Sequence, residues 1–293
     1  MALVLSVNVP SVKKPLPAET LTSGCSIGAV QDGGMGALVT LTTDFGRDSI
    51  YVAQLKAVLL SINRRLTIVD VTHEIPPQDV VSGAWVLRHT VPYFPEGSFH
   101  LAVIDPGVGT ERRCLAVDWE GRYIVAPDNG LLTFLYQLSA PRRAVWIENR
   151  AYFRAEVSST FHGRDLMGPA LAWLTHGIPL EELGPSAQKW VELSDDWRPR
   201  VGDREIQGRI VFVDRFGNLI TNIGKDCWPQ QVRPVIKAGD YQLAELSRTY
   251  GEHPPGSLIA LFGSQGYLEI AVVNGSAAEQ TKLTVGTPVL VTW

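Results

Sequence analysis

The stretch Ala37–Pro77, ALVTLTTDFGRDSIYVAQLKAVLLSINRRLTIVDVTHEIPP, decides the fold. It opens with Ala37–Thr42, a short, apolar, β-branched run that reads as a buried strand. A polar turn follows, Thr43-Asp44-Phe45-Gly46. Ser49–Ile62 then carries apolar residues at helical spacing, and Leu66–Val71 reads as a second buried strand. Further out, Asp79–Val91 reads as a helix that Asp79 caps. His100–Ile104, Cys114–Val117 and Arg122–Val125 read as strands. Strands alternating with helices predict an α/β layer structure with a mostly parallel sheet.

The pattern changes near residue 190. Gln188–Glu205 is polar and aperiodic. After it come only short β-like runs separated by Gly, Asn and Pro: Gln207–Val213, Leu219–Ile223, Val232–Lys237, Leu258–Phe262, Tyr267–Val273 and Pro288–Thr292. The expected organisation is therefore an α/β domain over residues 37–190, a linker over 191–198, and a smaller all-β, barrel-like domain over 199–293. Residues 1–36 are rich in Pro, Gly, Ser and Thr without sustained periodicity. They read as a disordered extension, or as an over-called start with Met35 the true one. The one early basic pair, Lys13-Lys14, follows the apolar stretch, the reverse of a secretory leader.

Composition narrows the function. A chain of 293 residues with 45% hydrophobic and 19% charged side chains can bury a sizeable core. The net charge of −4, with no basic block, argues against a nucleic-acid partner. No apolar run is long enough to span a membrane. Cys25, Cys114 and Cys227 are far apart and form no CxxC pair, which fits a reducing, cytoplasmic compartment. The histidines make no metal-binding spacing, so no metal and no separate cofactor is expected.

Two aspartates follow strands of the parallel sheet: Asp44 after the first, and Asp105 after His100–Ile104. Open α/β sheets bind ligands at those strand ends. Asp44 can accept two hydrogen bonds, as a ribose diol requires, or can serve as a turn or cap residue. Asp105-Pro106-Gly107-Val108-Gly109-Thr110-Glu111-Arg112-Arg113 is a glycine-containing loop but no phosphate loop, since it lacks the GK[ST] ending. Across it Asp105 and Arg112 can form an ion pair. His73 and Glu74 are an acid/base pair or structural groups before a proline turn. In Phe161-His162-Gly163-Arg164-Asp165, His162 begins a helix as a functional or a capping residue. In Asp214-Arg215-Phe216-Gly217-Asn218, Phe216 can stack on a ring and Asn218 can pair with an adenine edge, or the whole is a β-turn. Ser264 and Tyr267 lie in a Gly-rich connection that is a ligand loop or a plain hairpin.

In combination and order, TTDFG, DVTHEIPP, DPGVGTERR, FHGRD, FGN-x-x-TN and S-x-GYLEIA resemble the SAM hydroxide adenosyltransferases. Halide-using fluorinases and chlorinases are relatives of that family. The resemblance runs from Leu38 to Trp293. It implies hydrolysis of S-adenosyl-L-methionine (SAM) to adenosine and methionine, by attack of water-derived hydroxide on ribose C5′. It further implies a homotrimer with SAM held between the α/β domain of one subunit and the barrel of the next. The residues matching the water-handling set are Asp105, Arg112 and His162. Asp44 matches the ribose-holding aspartate, Phe216 and Asn218 the adenine side, and Asp214 and Ser264 the methionine end. Tyr267 completes the substrate-binding set.

Departures from the halogenases are informative. Asp105 stands where they have tyrosine, Gly163 where the fluorinase has a fluoride-holding serine, and Gln78 where it has a tryptophan. The fluorinase's long insertion between the third and fourth motifs is absent. Gln265 and Val272 replace two of its arginines, and no role is assigned to them. A carboxylate at the nucleophile repels halide and accepts a hydrogen bond from water. The alternatives are a halogenase, or a SAM- or adenosine-binding protein without turnover.

Overall fold

The computed structural model describes residues 36–229 and 233–293. The expected N-terminal extension, except Gly36, lies outside these residues, as do Cys25 and Val232. The β-branched strand β1 (Leu38–Thr43) is buried on both faces, as a central parallel strand must be. Helix α1 (Ile50–Ile62) starts at Ser49, whose hydroxyl accepts the Tyr51 N–H at 3.2 Å. Its Val52, Leu55 and Leu59 share one buried stripe. Strand β2 (Thr67–Thr72) corrects an expectation: it is not buried but forms the edge of the sheet, with Val69 37% exposed. An apolar run specifies a strand, not its place in the sheet.

Helix α2 (Val80–Thr90) is capped by Asp79, which accepts the Ser82 N–H at 3.0 Å. Strand β3 (Phe99–Val103) follows, then β4 (Cys114–Trp119) and β5 (Arg122–Pro127). Glu120 and Gly121, with φ of 50° and 77°, close a two-residue hairpin between β4 and β5. So short a connection can join only antiparallel strands. Helix α3 (Thr133–Tyr136), strand β6 (Arg143–Trp146) and helix α4 (Gly168–Leu174) complete this layer. The sheet order is β2-β1-β3-β5-β4-β6. The run from β2 to β5 is parallel, and the β4 pairings on both sides are antiparallel, so the sheet is mixed. Helices α1 and α4 cover one face and α2 and α3 the other.

The second half is antiparallel. Its strands are β7 (Arg200–Val201), β8 (Glu205–Val213), β9 (Leu219–Gly224), β10 (Val235–Ala238), β11 (Tyr241–Leu243), β12 (Leu258–Phe262) and β13 (Tyr267–Val272). Helix α5 (Ala277–Thr281) and strand β14 (Pro288–Thr292) close the chain. The order is β11-β10-β14-β8-β9-β13-β12, with β7 on β8. Strand β8 pairs β14 through Glu205–Arg209 and β9 from Ile210 on, with an irregularity between Ile210 and Phe212. That bulge bends the sheet round. Ser247 N–H donates to Ala260 O at 2.7 Å, bringing the segment after β11 to the free edge of β12 and nearly closing a barrel. Ile206, Ile210, Leu219, Ile223, Leu268 and Val291 fill its interior.

The two halves meet at α2. Ala84 and Trp85 pack with Phe134 against Val211 and Ile220 of the barrel. The connecting segment is pinned to the α/β layer by Val191 N–H to Asp128 (2.7 Å) and Leu193 N–H to Thr133 (2.9 Å).

Inside the sheet, His100 is 1% exposed and bonded through Nδ1 to Thr40 (2.7 Å) and through Nε2 to Ser98 (2.8 Å). Burial first, and the Arg122 charge second, push its pKa down to about 3. An unfolded histidine takes its proton near pH ~6.5. Between those values the unfolded chain binds the extra proton, so stability is present above pH ~6.5 and lost as pH falls. From pH 7 to pH 5 this one group should lower stability by about 2 kcal/mol. Urea unfolding at both values should show the loss, and His100→Gln should remove about that much of it. Equal pH slopes in the two proteins would contradict the assignment.

Candidate active site

Strands β1 and β3 pair in parallel with Thr43 opposite Val103, so Asp44 and Asp105 leave the sheet at the same edge from adjacent strands. The chain after Asp105 turns at once: Val108 N–H returns to Asp105 O at 3.2 Å and Thr110 N–H to Gly107 O at 3.2 Å. Gly109 makes the loop possible. Its φ is 78°, and a Cβ there would lie 2.4 Å from Ser159 O. The loop thereby brings Arg112 back over Asp105 and seats both beside the 159–162 segment.

Arg112 Nε donates to Asp105 Oδ1 at 2.8 Å and Oδ2 at 3.0 Å, and Nη2 donates to Oδ2 as well. Nη2 also meets His162 Nδ1 at 2.9 Å. Nη1 donates to the Cys114 thiol at 3.0 Å. The Asp105 and Arg112 side chains are 5% and 10% exposed. A guanidinium has five N–H donors. Four are engaged here, which leaves one on Nη1.

Burial opposes the Arg112 charge, but hydrogen bonds to Asp105 outweigh it and raise its pKa further. Burial, reinforced by Arg112, lowers the His162 pKa; Asp105 and Asp165 oppose that shift. His162 is thus neutral at neutral pH. Because Nδ1 accepts from Arg112, the ring proton sits on Nε2. Burial, the largest influence, pushes the Cys114 thiol up to about 12, so it is a neutral acceptor.

His162 stands at the start of a π-helical turn, Gly163–Met167, and its side chain makes no capping bond. Such turns often mark functional positions. Gly163 packs tightly there: a Cβ would lie 3.1 Å from Val103 Cγ1. Asp165 is fully buried and is more than a helix-start partner for Arg164. It accepts from Arg164 Nε (2.7 Å), Arg154 Nη1 (2.9 Å) and Ser158 N–H (2.9 Å). This holds the segment that carries His162.

Asp44 is half-buried, and its Oδ2 accepts the Gln78 N–H at 2.8 Å. The Phe45 ring meets Phe161 edge-on at 5.5 Å, which sets the Asp44 turn against the residue before His162.

The barrel residues are arranged differently. Asp214 closes the β8–β9 turn: Oδ1 accepts Phe216 N–H and Asn218 N–H, and Oδ2 accepts the Asn218 side-chain amide, all at 2.9 Å. Asn218 keeps one N–H and its carbonyl. Phe216 is 77% exposed at the tip. Arg215 bonds Glu74 at 3.1 Å, so this turn flanks the 72–78 segment of its own chain. Ser264 is exposed in the β12–β13 hairpin. Tyr267 packs on Trp85 of α2 at 4.7 Å and accepts from Arg88 Nε at 3.1 Å. Among the described residues, no hydrogen bond or ion pair joins Asp214, Phe216, Asn218, Ser264 or Tyr267 to Asp105, Arg112 or His162.

Sequence reasoning missed Cys114. The signal was its i+2 spacing from Arg112 at a strand start, which puts the two side chains on one face. Among the described residues no group of three His, Cys, Asp or Glu is arranged to hold a metal ion, and no helix is long and apolar enough to cross a membrane.

Residues 39–184 match the model of the SAM hydroxide adenosyltransferase N-terminal domain, and 208–290 that of the C-terminal domain. The chain is 40% identical to the (R)-S-adenosyl-L-methionine hydrolase of Thermus thermophilus over 86% of its own length and 98% of the relative's. It is 38% identical to the hydrolase of the same name from Salinispora tropica, over 87% and 97%. The crystal structure of an uncharacterized conserved protein from Thermotoga maritima superposes with a TM-score of 0.79 at 33% identity, over 87% of this chain and all of that one. A fluorinase from Actinoplanes is more distant, at 29% identity over 87% and 97%.

Arg112 neutralises a buried carboxylate. Arg112→Gln should therefore destabilise the fold by about 3–5 kcal/mol. Adding Asp105→Asn should restore part of that loss, measured as a double-mutant cycle by urea unfolding. Strictly additive losses would contradict the coupling.

Proposed function

The chain belongs to the SAM hydroxide adenosyltransferase family, and from that premise we propose that it hydrolyses S-adenosyl-L-methionine to adenosine and L-methionine. The observation that carries the reading is the Asp105–Arg112–His162 set at the end of the parallel sheet, with Asp105 and His162 both bonded to a largely buried Arg112. SAM is the substrate, and the reading includes no cofactor, metal, nucleic acid or membrane.

The sulfonium is already a good leaving group and needs no acid. The difficulty lies in the nucleophile, because bulk water has a pKa near ~15.7. The free Nη1–H of Arg112 stabilises hydroxide character as it develops. His162 Nδ1 is taken by Arg112, so its ring donates from Nε2 rather than accepts. Asp105 is then the group in the set that accepts the proton of water, through lone pairs that Arg112 leaves free. In-line placement of water, C5′ and sulfur supplies the rest. The buried Asp105 carboxylate disfavours a halide in the water position, and Gly163 supplies no hydroxyl to hold one.

Asp44 holds the ribose hydroxyls. Phe216 and Asn218 face adenine, Asp214 and Ser264 shape the methionine end, and Tyr267 completes the substrate-binding set. We assign residues 37–190 to the catalytic unit, 191–198 to the linker and 199–293 to the barrel. Among the described residues the barrel set makes no bond to the Asp105 set within one chain, and β2 is an edge strand with apolar Val69 exposed. Both observations support a homotrimer whose active sites form between subunits; the unpaired Cys114 and Cys227 fit the reducing cytoplasm. Light scattering should give a mass three times 32.1 kDa; a monomer would overturn the assembly.

The decisive experiment is chromatography of products after incubating the protein with SAM and chelator, with and without chloride. The expected products are adenosine and methionine, unaffected by either addition. Arg112→Lys cannot form the bidentate pair and should lower kcat on the order of 100-fold with little change in KM. A chlorinated nucleoside would instead identify a halogenase. Tight SAM binding without turnover would identify a binding protein.

A further inference from the structure

The segment Asp70–Gln78 is tied to the turn that bears Asp44 by a chain of bonds that the proposed reaction does not use. Thr43 is fully buried, and its Oγ1 lies 2.8 Å from Nδ1 of His73, which is 6% exposed. His73 Nε2 approaches Asp70 Oδ1 at 3.1 Å, a contact too bent to be a well-formed hydrogen bond. Lys56 Nζ donates to the other Asp70 oxygen at 2.6 Å. Burial alone would raise the Asp70 pKa, but the hydrogen bond from Lys56 and the close contact with His73 outweigh it, and the carboxyl stays ionised.

The donors run in one direction. An ionised Asp70 favours the His73 proton on Nε2, so Nδ1 accepts from the Thr43 hydroxyl. Thr43 Oγ1 in turn accepts the N–H of Phe45 at 3.3 Å. That N–H belongs to the peptide that leaves Asp44. The main chain repeats the tie: Gly46 N–H donates to His73 O at 2.7 Å, and Ile75 N–H to Thr43 O at 3.4 Å. Beyond Pro76-Pro77, Gln78 adopts a left-handed φ of 67° and aims its N–H at Asp44 Oδ2, 2.8 Å away. That conformation is unfavourable for a residue with a Cβ, so the surrounding contacts must impose it. Asp44 is thus gripped from both ends of one segment: through Thr43 by His73, and directly by Gln78.

We propose that His73 is a positioning residue for Asp44. With Thr43 it fixes the carboxylate in the orientation that receives both ribose hydroxyls, and so sets selectivity for a ribonucleoside over its 2′-deoxy analogue. The inference rests on the reading of Asp44 as the ribose-holding group.

The test is calorimetric binding of adenosine and 2′-deoxyadenosine to the full chain and its variants. Wild type should prefer adenosine by about tenfold or more, the worth of one hydrogen bond to a charged group. Asp44→Ala should abolish the preference. Thr43→Val, nearly isosteric, should reduce it to about threefold or less, because the grip is loosened rather than removed. Thr43→Ser should restore it. His73→Asn, which keeps a polar atom near Nδ1, should retain more of the preference than His73→Gln, and it carries the comparison if Thr43→Val does not fold. A general loss of stability would weaken both ligands alike and leave the ratio unchanged. Loss of preference in Asp44→Ala, with wild-type ratios in Thr43→Val and His73→Gln, overturns the positioning role alone. An unchanged ratio in Asp44→Ala overturns the ribose reading itself, and this inference with it.

Discussion

Everything at the site depends on the parallel pairing of β1 with β3. Parallel neighbours run about 4.8 Å apart and end at the same edge. With Thr43 opposite Val103, that edge delivers Asp44 and, one residue further along the neighbouring strand, Asp105. Each then leads into a loop that the sheet cannot continue. An antiparallel pairing would have sent the two carboxylates to opposite ends of the molecule. The helices on both faces bury the central strands and leave the carboxyl end to the loops that carry the site.

At that edge the loops are held by charge rather than by regular structure. The Asp105 carboxylate is almost fully buried, and only its bonds to Arg112 make that tolerable. Arg112 is in turn surrounded by acceptors of three kinds: a carboxylate, a neutral imidazole and a thiol. Such a guanidinium has one direction left in which to act. The same economy appears at Asp165, where two arginines and a backbone N–H hold the turn that carries His162. Rigidity of this kind costs little reorganisation when charge develops on a bound water.

Much of this was legible beforehand because strand and helix patterns are local. Ser49 and Asp79 announced the starts of α1 and α2, and both are caps. Glu120-Gly121 carried the hairpin that makes the sheet mixed, though the run of apolar residues around it spoke only of strands. The exposure of β2 was not legible, since its composition matches that of a central strand. Strands β6, β7 and β11 were too short to rise above the surrounding loops. The Asp105–Arg112 pair could be anticipated because a tight loop joins its members; His162, 50 residues from Arg112, was joined to them only through the family resemblance, since no local pattern links it to the loop.

By itself, the sequence determined the two-part architecture, the order of the motifs and the family they resemble. These follow from periodicity, turn chemistry and residue identity, all of which act over a few positions. Only the tertiary structure decided which polar residues meet. It resolved His73 as a structural group, the buried partner of Thr43, drew Cys114 onto Arg112, and set Tyr267 against α2 rather than free in its loop. Those outcomes depend on which strands pair and which faces pack, and both are set by the burial of the whole core rather than by any single segment.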